Sequence, residues 1–99
     1  MNTINRQDYM QNRVTHREYY AQFVTEDIKK TVEEEIGFFR LKDSRDEHFN
    51  DIELPQWDRV GRYIQLLVRE PLKDAGDYVS LAGLVCIAKE AGRQILEKL

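Results

Sequence analysis

One short polar stretch of the sequence, residues 44–58 (SRDEHFNDIELPQWD), concentrates the side chains that can do chemistry. Its acidic, imidazole and amide groups are Asp46, Glu47, His48, Asn50, Asp51 and Glu53. Two neighbouring carboxylates can act as general acid and base when a cleft shifts the pKa of one of them. Carboxylates can also bind a metal ion, and irregular loops often carry binding residues. The stretch is therefore a candidate for catalysis, metal binding or recognition.

The ligand patterns of common metal sites do not fit this stretch. A calcium-binding loop needs a glycine at its sixth position and a glutamate at its twelfth. Counted from Asp46, those positions hold Asp51 and Trp57. A zinc site needs about three or four His, Cys or carboxylate ligands, whereas the chain has two histidines and one cysteine, Cys86, which lies in the apolar run LVCIA. The sequence predicts neither a bound metal nor another cofactor.

A structural role explains the same stretch more simply. Asn and Asp side chains bond to nearby backbone groups and so build loops. The apolar residues that can anchor such a loop on a core are Phe49, Ile52, Leu54 and Trp57. We therefore interpret residues 44–58 as a connector ordered by its own polar groups, and we assign no catalytic residue. The candidate binding residues on its exposed edge are Asp46, His48, Asn50 and Asp51.

The elements that must position this connector have the patterns of helices. Residues 1–14 predict a loose arm or a short helix. Thr15 and Glu18 have the spacing of a capping box, and Thr25 is a second candidate N-cap. Gly37 is placed to end the helix that Thr25 begins. Three apolar residues just beyond it are expected to enter the core: Phe38, Phe39 and Leu41.

Two further helices are predicted after the connector. Pro55 suits a first helical turn, where its missing N–H costs nothing, and Pro71 is expected to end that helix. The apolar face of this helix is Trp57, Val60, Ile64, Leu67 and Val68. After a turn at residues 73–77, Asp77 or Ser80 caps the last helix. We expect this helix to be the most buried, with an apolar face of Leu81, Leu84, Val85, Ala88, Ala91, Ile95 and Leu99.

These patterns predict a small all-α protein. Apolar residues recur at helical spacing in three segments, no segment alternates apolar and polar residues over strand length, and no Asn-Gly or Asp-Gly hairpin turn occurs. A chain of 99 residues has room for one hydrophobic core. We therefore expect a single domain over residues 1–99, folded as a bundle of three to five helices.

The overall charge and the length of the apolar runs bear on what the chain binds and where in the cell it is located. Its net charge of −3 is far from the strongly basic charge typical of nucleic-acid binding. The N-terminal sequence MNTINRQDYM lacks the apolar centre of a secretory signal, and the longest apolar run, residues 81–88, is too short for a membrane span. We expect a cytoplasmic protein that binds neither nucleic acid nor a membrane.

The segment IAKEAG, residues 87–92, resembles the start of the helix-turn-helix in the lac repressor family. In that family a turn begins at the glycine, and a small polar residue then caps the recognition helix. Here Gly92 is followed by Arg93 and Gln94, neither of which suits that cap. Apolar positions also continue past the glycine in helical register. We therefore predict one continuous helix from Ser80 to Lys98.

The charged run EDIKKTVEEE, residues 26–35, predicts a solvated helix face. Glu26 and Lys30 have the spacing of a favourable helical pair, and Lys29 with Glu33 has the same spacing in the less favourable order. An acidic face of Glu26, Glu33 and Glu34 is the second candidate docking surface, after the edge of the connector.

Two stretches, REYYAQFV and DEHFNDIELPQWD, resemble segments shared by small uncharacterised proteins of phages, prophages and related mobile elements. The first contains Tyr-Tyr-x-Gln-Phe-Val at residues 19–24, and the second contains His-x-Asn-Asp-Ile-x-Leu-x-x-Trp-Asp at residues 48–58. The sequence departs from the second pattern at Glu53, where a proline is the expected form. The resemblance covers residues 17–60. It implies a mobile-element origin and carries over no activity and no site.

The function that these features favour is non-enzymatic: a small helical domain that binds a host or phage protein. One alternative is a DNA-binding transcriptional regulator with a degenerate helix-turn-helix. Another is an enzyme that uses the connector carboxylates Asp46, Glu47, Asp51 and Glu53. The sequence leaves open whether the chain also self-associates.

Overall fold

Six α-helices form the regular structure of residues 6–46, 48–75 and 80–98, which the computed structural model describes. In chain order they are α1 (Arg6–Met10), α2 (His16–Ala21), α3 (Glu26–Glu35), α4 (Phe38–Asp43), α5 (Leu54–Ala75) and α6 (Leu81–Glu97). The described residues include no strand, so the all-α class is confirmed. The helices outnumber the three to five predicted because α1 and α4 each form a separate element of one or two turns. Within the described ranges, no helix is both long and apolar enough to cross a membrane.

Helix α6 is the helix against which α2, α3, α4 and α5 all pack. Ser80 is its N-cap and accepts a hydrogen bond from the Gly83 N–H at 3.3 Å, whereas the alternative cap, Asp77, lies outside the described residues. The helix continues through Gly92 to Glu97, which confirms the continuous helix that the sequence predicted. Its buried residues confirm the expected high burial: Gly83, Leu84, Val85, Ile87, Ala88, Glu90, Ala91 and Gly92.

The two predicted threonine caps divide the N-terminal half into separate helices. Thr15 accepts a hydrogen bond from the Glu18 N–H at 3.1 Å, and the Glu18 side chain accepts one from the Thr15 N–H at 3.3 Å. Thr25 accepts from the Ile28 N–H and begins α3. Helix α3 ends before Gly37, whose φ of 93° lies in the region that favours glycine.

A single apolar core joins these helices. Its fully buried large side chains are Trp57, Phe23, Ile28, Leu41, Ile64, Ile87, Val32, Val60 and Val68. Burying each such side chain stabilises the fold by about 1.5–3 kcal/mol relative to leaving it in water. The core therefore draws on the connector and on all the longer helices.

Three apolar residues predicted to face the core are exposed. Phe39 is 74% exposed, because the short helix α4 turns Leu41 inward and leaves Phe39 against the edge of the Phe38 ring. Leu54 is 62% exposed, because the chain runs through solvent between Ile52 and Trp57. Leu67 lies at the solvent border of the α5 face. The apolar character of these residues therefore overstated how many of them reach the core.

Helix α5 does not end at Pro71, as the sequence predicted, but continues to Ala75. Proline fixes φ near the helical value, and its cost inside a helix is one lost backbone hydrogen bond and crowding of the preceding turn. The predicted turn at residues 73–77 is therefore helical as far as Ala75. Its last two residues lie outside the described part of the chain.

Candidate functional site

The connector is ordered by carboxylates that accept hydrogen bonds from its own backbone. Asp51 accepts from the Ser44 hydroxyl and from the Arg45 N–H, the latter at 2.9 Å. Asp46 accepts from the His48 N–H at 2.7 Å and from the Asn50 amide at 3.2 Å. The Ser44 hydroxyl, and after it the Arg45 N–H, lower the pKa of Asp51 because they stabilise its ionised form. Both carboxylates therefore act as fixed acceptors.

The apolar residues of the connector hold it on the core. Phe49, Ile52 and Trp57 are all buried, as predicted, and the Trp57 indole Nε1–H donates to the Phe49 carbonyl at 3.3 Å. Phe49 has a φ of 60°, which is uncommon for a bulky residue. Its N–H donates to the Asp46 carbonyl at 2.8 Å, so burial of the ring and this turn hold the conformation together.

One face of α6 supports the exposed edge of the connector. Lys89 donates to the Asn50 side-chain oxygen at 3.2 Å, and its Nζ lies 5.8 Å from the centre of the Trp57 ring. Arg93 donates from Nη2 to the His48 Nδ1 at 3.0 Å. Two basic residues of α6 thus contact the two residues of the predicted site that are not carboxylates, His48 and Asn50.

A buried carboxylate connects this face to α2. Glu90 is 5% exposed and accepts a hydrogen bond from Arg17 Nε at 3.1 Å and another from Arg93. Two charge-assisted bonds offset the cost of removing its charge from water. Arg93 therefore has a fixed position between Glu90 and His48.

Gly92 allows the connector to lie close to α6. A Cβ at this position would meet the Leu41 side chain at 3.1 Å and the Phe49 ring at 3.4 Å. A larger side chain would push the Phe49 ring and the connector outward. The glycine that resembles the turn of a helix-turn-helix has a packing role here.

An open groove of about 290 Å³ runs between the connector, α4 and α6. We call it the connector groove, and its lining residues are Arg17, Leu41, Lys42, Ser44, Asp46, Phe49, Arg93, Leu96 and Glu97. It combines apolar side chains with three basic and two acidic ones. Such a mixture is typical of a site that takes an apolar side chain beside a charged group.

Asp46 joins two of the other predicted site residues, His48 and Asn50, by hydrogen bonds, whereas the side chain of Asp51 bonds to Ser44 and Arg45. Asp46 lines the groove, Asp51 binds the backbone on the exposed surface, and His48 and Asn50 contact α6. Glu47 lies outside the described residues. The sequence did not identify Arg17, Lys42 or Arg93 as site residues, because they come from other helices and carry no local pattern.

A second polar cluster lies where α1, α2 and α6 meet. The His16 ring has its Nε2 3.2 Å from the Cys86 sulfur and its Nδ1 3.0 Å from the Tyr9 hydroxyl. The Tyr20 ring packs against His16 at 4.7 Å between centres. Burial, and then the nearby Cys86, raise the pKa of Tyr20. Cys86, which the apolar run LVCIA predicted to be buried, is only half-buried.

Comparison with known proteins identifies no relative. The chain matches no protein-family model, no curated protein and no solved structure. Among the described residues, no group of three or more His, Cys, Asp or Glu side chains is placed to hold a metal ion.

Proposed function

We propose that this chain is a protein-binding domain and that the connector groove takes the anchoring residue of its partner. The partner segment that fits is an apolar side chain flanked by carboxylates. The observation that carries the proposal is the groove itself, in which the buried ring of Phe49 lies beside the cations of Arg17 and Arg93.

The charge of the groove supports an acidic partner segment. Arg17 is 53% exposed and uses Nε for Glu90, while a guanidinium offers five N–H donors in all. Lys42 is exposed at the rim. The Asp46 carboxylate is already occupied by the His48 N–H and the Asn50 amide. The lining has three basic side chains and two acidic ones, so its net charge is positive and favours an acidic segment.

The rigidity of the groove also supports recognition. Its connector wall is held by backbone hydrogen bonds and by buried rings, so little conformational entropy is lost when a partner binds. Its volume suits one or two side chains. A stable interface buries about 800 Å² on each partner, so the exposed edge with His48 and Asn50 would supply the remaining contact area.

The acidic face of α3 has weaker support as the docking surface. Glu26 is 80% exposed and pairs with Lys29 at 3.1 Å and with Lys98 at 3.5 Å, not with Lys30 as predicted. Lys29, and after it Lys98, lower the pKa of Glu26. Solvated charges of this kind contribute more to association rate than to affinity.

The two alternative functions have less support than protein binding. A DNA-binding regulator needs a turn near Gly92, where α6 is continuous. Of the carboxylates that the enzyme alternative would use, Asp51 is an acceptor for the Ser44 hydroxyl and the Arg45 N–H, which lower its pKa, and Glu47 lies outside the described residues. The mobile-element origin and the cytoplasmic location remain parts of the proposal.

A random peptide display library tests the proposal directly. We expect the parent protein to enrich peptides with an aromatic or large aliphatic residue next to Asp or Glu. Lys42→Glu combined with Leu96→Asp should abolish their binding, because these substitutions place negative charge at the rim and inside the groove. The matched control is Glu33→Lys with Glu34→Lys, which should retain it.

Circular dichroism first shows that both double variants are folded. Enrichment of basic peptides, or loss of binding in the α3 control alone, would transfer the site to the acidic face. The absence of any enriched motif would end the proposal that the groove anchors a peptide.

A further inference from the structure

We propose that Cys86 and His16 form a nucleophilic pair that captures small α,β-unsaturated carbonyl compounds as covalent adducts on the thiol. The site lies at the junction of α1, α2 and α6, and the proposal does not depend on the connector groove. It rests on the mutual geometry of three side chains and on the open space beside them.

The three side chains have the arrangement of a nucleophile, a base and a residue that orients the base. The Cys86 sulfur is 3.2 Å from His16 Nε2, and the Tyr9 hydroxyl oxygen is 3.0 Å from His16 Nδ1. When Nδ1–H donates to the Tyr9 oxygen, Nε2 is free of a proton and accepts from the thiol. This is the order of groups that activates a cysteine in nucleophilic catalysis.

The surroundings of Cys86 keep its thiol protonated, so a base is needed to form the thiolate. Burial raises the pKa of Cys86, and Glu90 also raises it, while Lys89 and Arg93 act in the opposite direction. The protonated thiol therefore prevails at neutral pH, and the thiolate is the nucleophilic form. A group that removes the proton during attack overcomes this difference, and His16 is in place to do so.

The reaction balances without an oxidant, a reductant or a leaving group. The thiol proton moves to His16 Nε2 as the sulfur forms a bond to the β-carbon of the electrophile. The π electrons of the carbon–carbon double bond shift towards the carbonyl and give an enolate. The His16 imidazolium then returns the proton to the α-carbon, which leaves a neutral thioether and a regenerated base.

Open space adjoins the base of the pair, His16, and its neighbour Tyr9. A groove of about 580 Å³ is lined by Tyr9, Met10, Asn12, Arg13, Val14, Thr15, His16 and Glu18. It shares Tyr9 and His16 with the cluster and has room for a small molecule next to the base. Because the Cys86 side chain is half-buried, small flat electrophiles reach it more easily than bulky reagents.

The experiment measures the rate of adduct formation with N-ethylmaleimide on the folded protein at neutral pH, by intact-mass spectrometry. Cys86→Ala should give no adduct, since the chain has no other cysteine. His16→Gln should slow the reaction by about 100-fold, the lower end of the contribution of a positioned general base. Tyr9→Phe keeps the ring and removes the hydroxyl, so a smaller loss is expected.

A second readout separates proton transfer from a change in access to the thiol. The parent protein should react more slowly in D₂O than in H₂O, because the base moves the thiol proton during attack, and His16→Gln should lose this isotope effect. A His16→Gln variant that reacts as fast as the parent, or faster, would overturn the proposal. So would a parent protein without the isotope effect.

Discussion

The two polar clusters that contact α6 use their hydrogen bonds in opposite ways. In the connector, the carboxylates of Asp46 and Asp51 accept from backbone N–H groups and fix the path of the chain. At the N-terminal junction, His16 bonds to the side chains of Tyr9 and Cys86. A group that holds the backbone cannot change its charge without a cost to the fold. In the two proposals, the connector that contacts Lys89 and Arg93 of α6 serves recognition, and the pair at Cys86, within one turn of Lys89, is reactive.

Adjacent residues of α2 join the two clusters. His16 contacts Cys86, and the next residue, Arg17, contacts Glu90, one helical turn further along α6. Glu90 also binds Arg93, which reaches the connector through His48. The two clusters therefore differ in chemistry but share one supporting carboxylate.

The largest expected effect tests whether the connector is part of the core. Trp57→Ala should lower the free energy of unfolding by about 3–5 kcal/mol, the range for removing a large buried aromatic side chain. It also removes the donor to the Phe49 carbonyl. Urea unfolding measures the change. Because total stability is about 5–15 kcal/mol, the variant is expected to be marginal.

Two control variants separate the effect of burial from that of the indole hydrogen bond. Phe39→Ala removes an exposed ring and should change stability by no more than about 0.5 kcal/mol. Trp57→Phe keeps most of the packing and loses the indole donor, at a cost of about 1 kcal/mol for the hydrogen bond. If Trp57→Ala has the same urea midpoint as the parent, the connector is not anchored as described.

The next effect tests the carboxylate shared by the two clusters. Glu90→Gln keeps the shape of the side chain and removes its charge, which weakens the bonds from Arg17 and Arg93. We expect a loss of about 1–2 kcal/mol, since bonds to charged groups are stronger than neutral ones. The matched variant Glu33→Gln, on the solvated face of α3, should stay within about 0.5 kcal/mol of the parent. Equal midpoints for Glu90→Gln and the parent would show that the clusters are independent.

The smallest effect concerns the pH dependence of the connector. The folded state lowers the pKa of Asp51, so its contribution to stability is fully present above the pKa of an unfolded aspartate. It is lost as the pH falls through the lower, folded value. The difference in urea midpoint between the parent and Asp51→Asn should therefore shrink on acidification. Asp43→Asn, at the exposed end of α4, serves as the reference. A difference that stays constant down to the acid range would contradict the role of Asp51 as an ionised acceptor.

Local patterns explain which parts of the fold were predictable. The caps at Thr15 and Thr25 were predicted correctly, and Ser80 was one of two candidates for the third, because a cap bonds to a backbone N–H three residues away. The same reasoning identified the loop-building role of Asp46 and Asp51. The end of α5 was predicted wrongly, because a proline lowers the stability of a helix without always ending it.

Contacts between distant residues account for what the sequence did not predict. His16 and Cys86 are 70 residues apart, and Arg17 and Glu90 are 73 apart. Their side chains meet only because α2 packs across α6, which no spacing in the sequence encodes. The apolar run around Cys86 indicated a core position and concealed its half-buried side chain. The sequence did not predict the connector groove for the same reason, since its basic residues come from α2, α4 and α6.

The position of Trp57 gives the molecule an internal optical probe. It is the only tryptophan in the chain, so its fluorescence can be excited apart from the tyrosines. Its indole contacts the connector through the Phe49 carbonyl and lies under the Lys89 ammonium group. Indole emission depends on the polarity and charge around the ring. A ligand that moves the connector, or draws Lys89 away, should therefore change the emission without any attached label, and an adduct at Cys86 that leaves α6 in place should not.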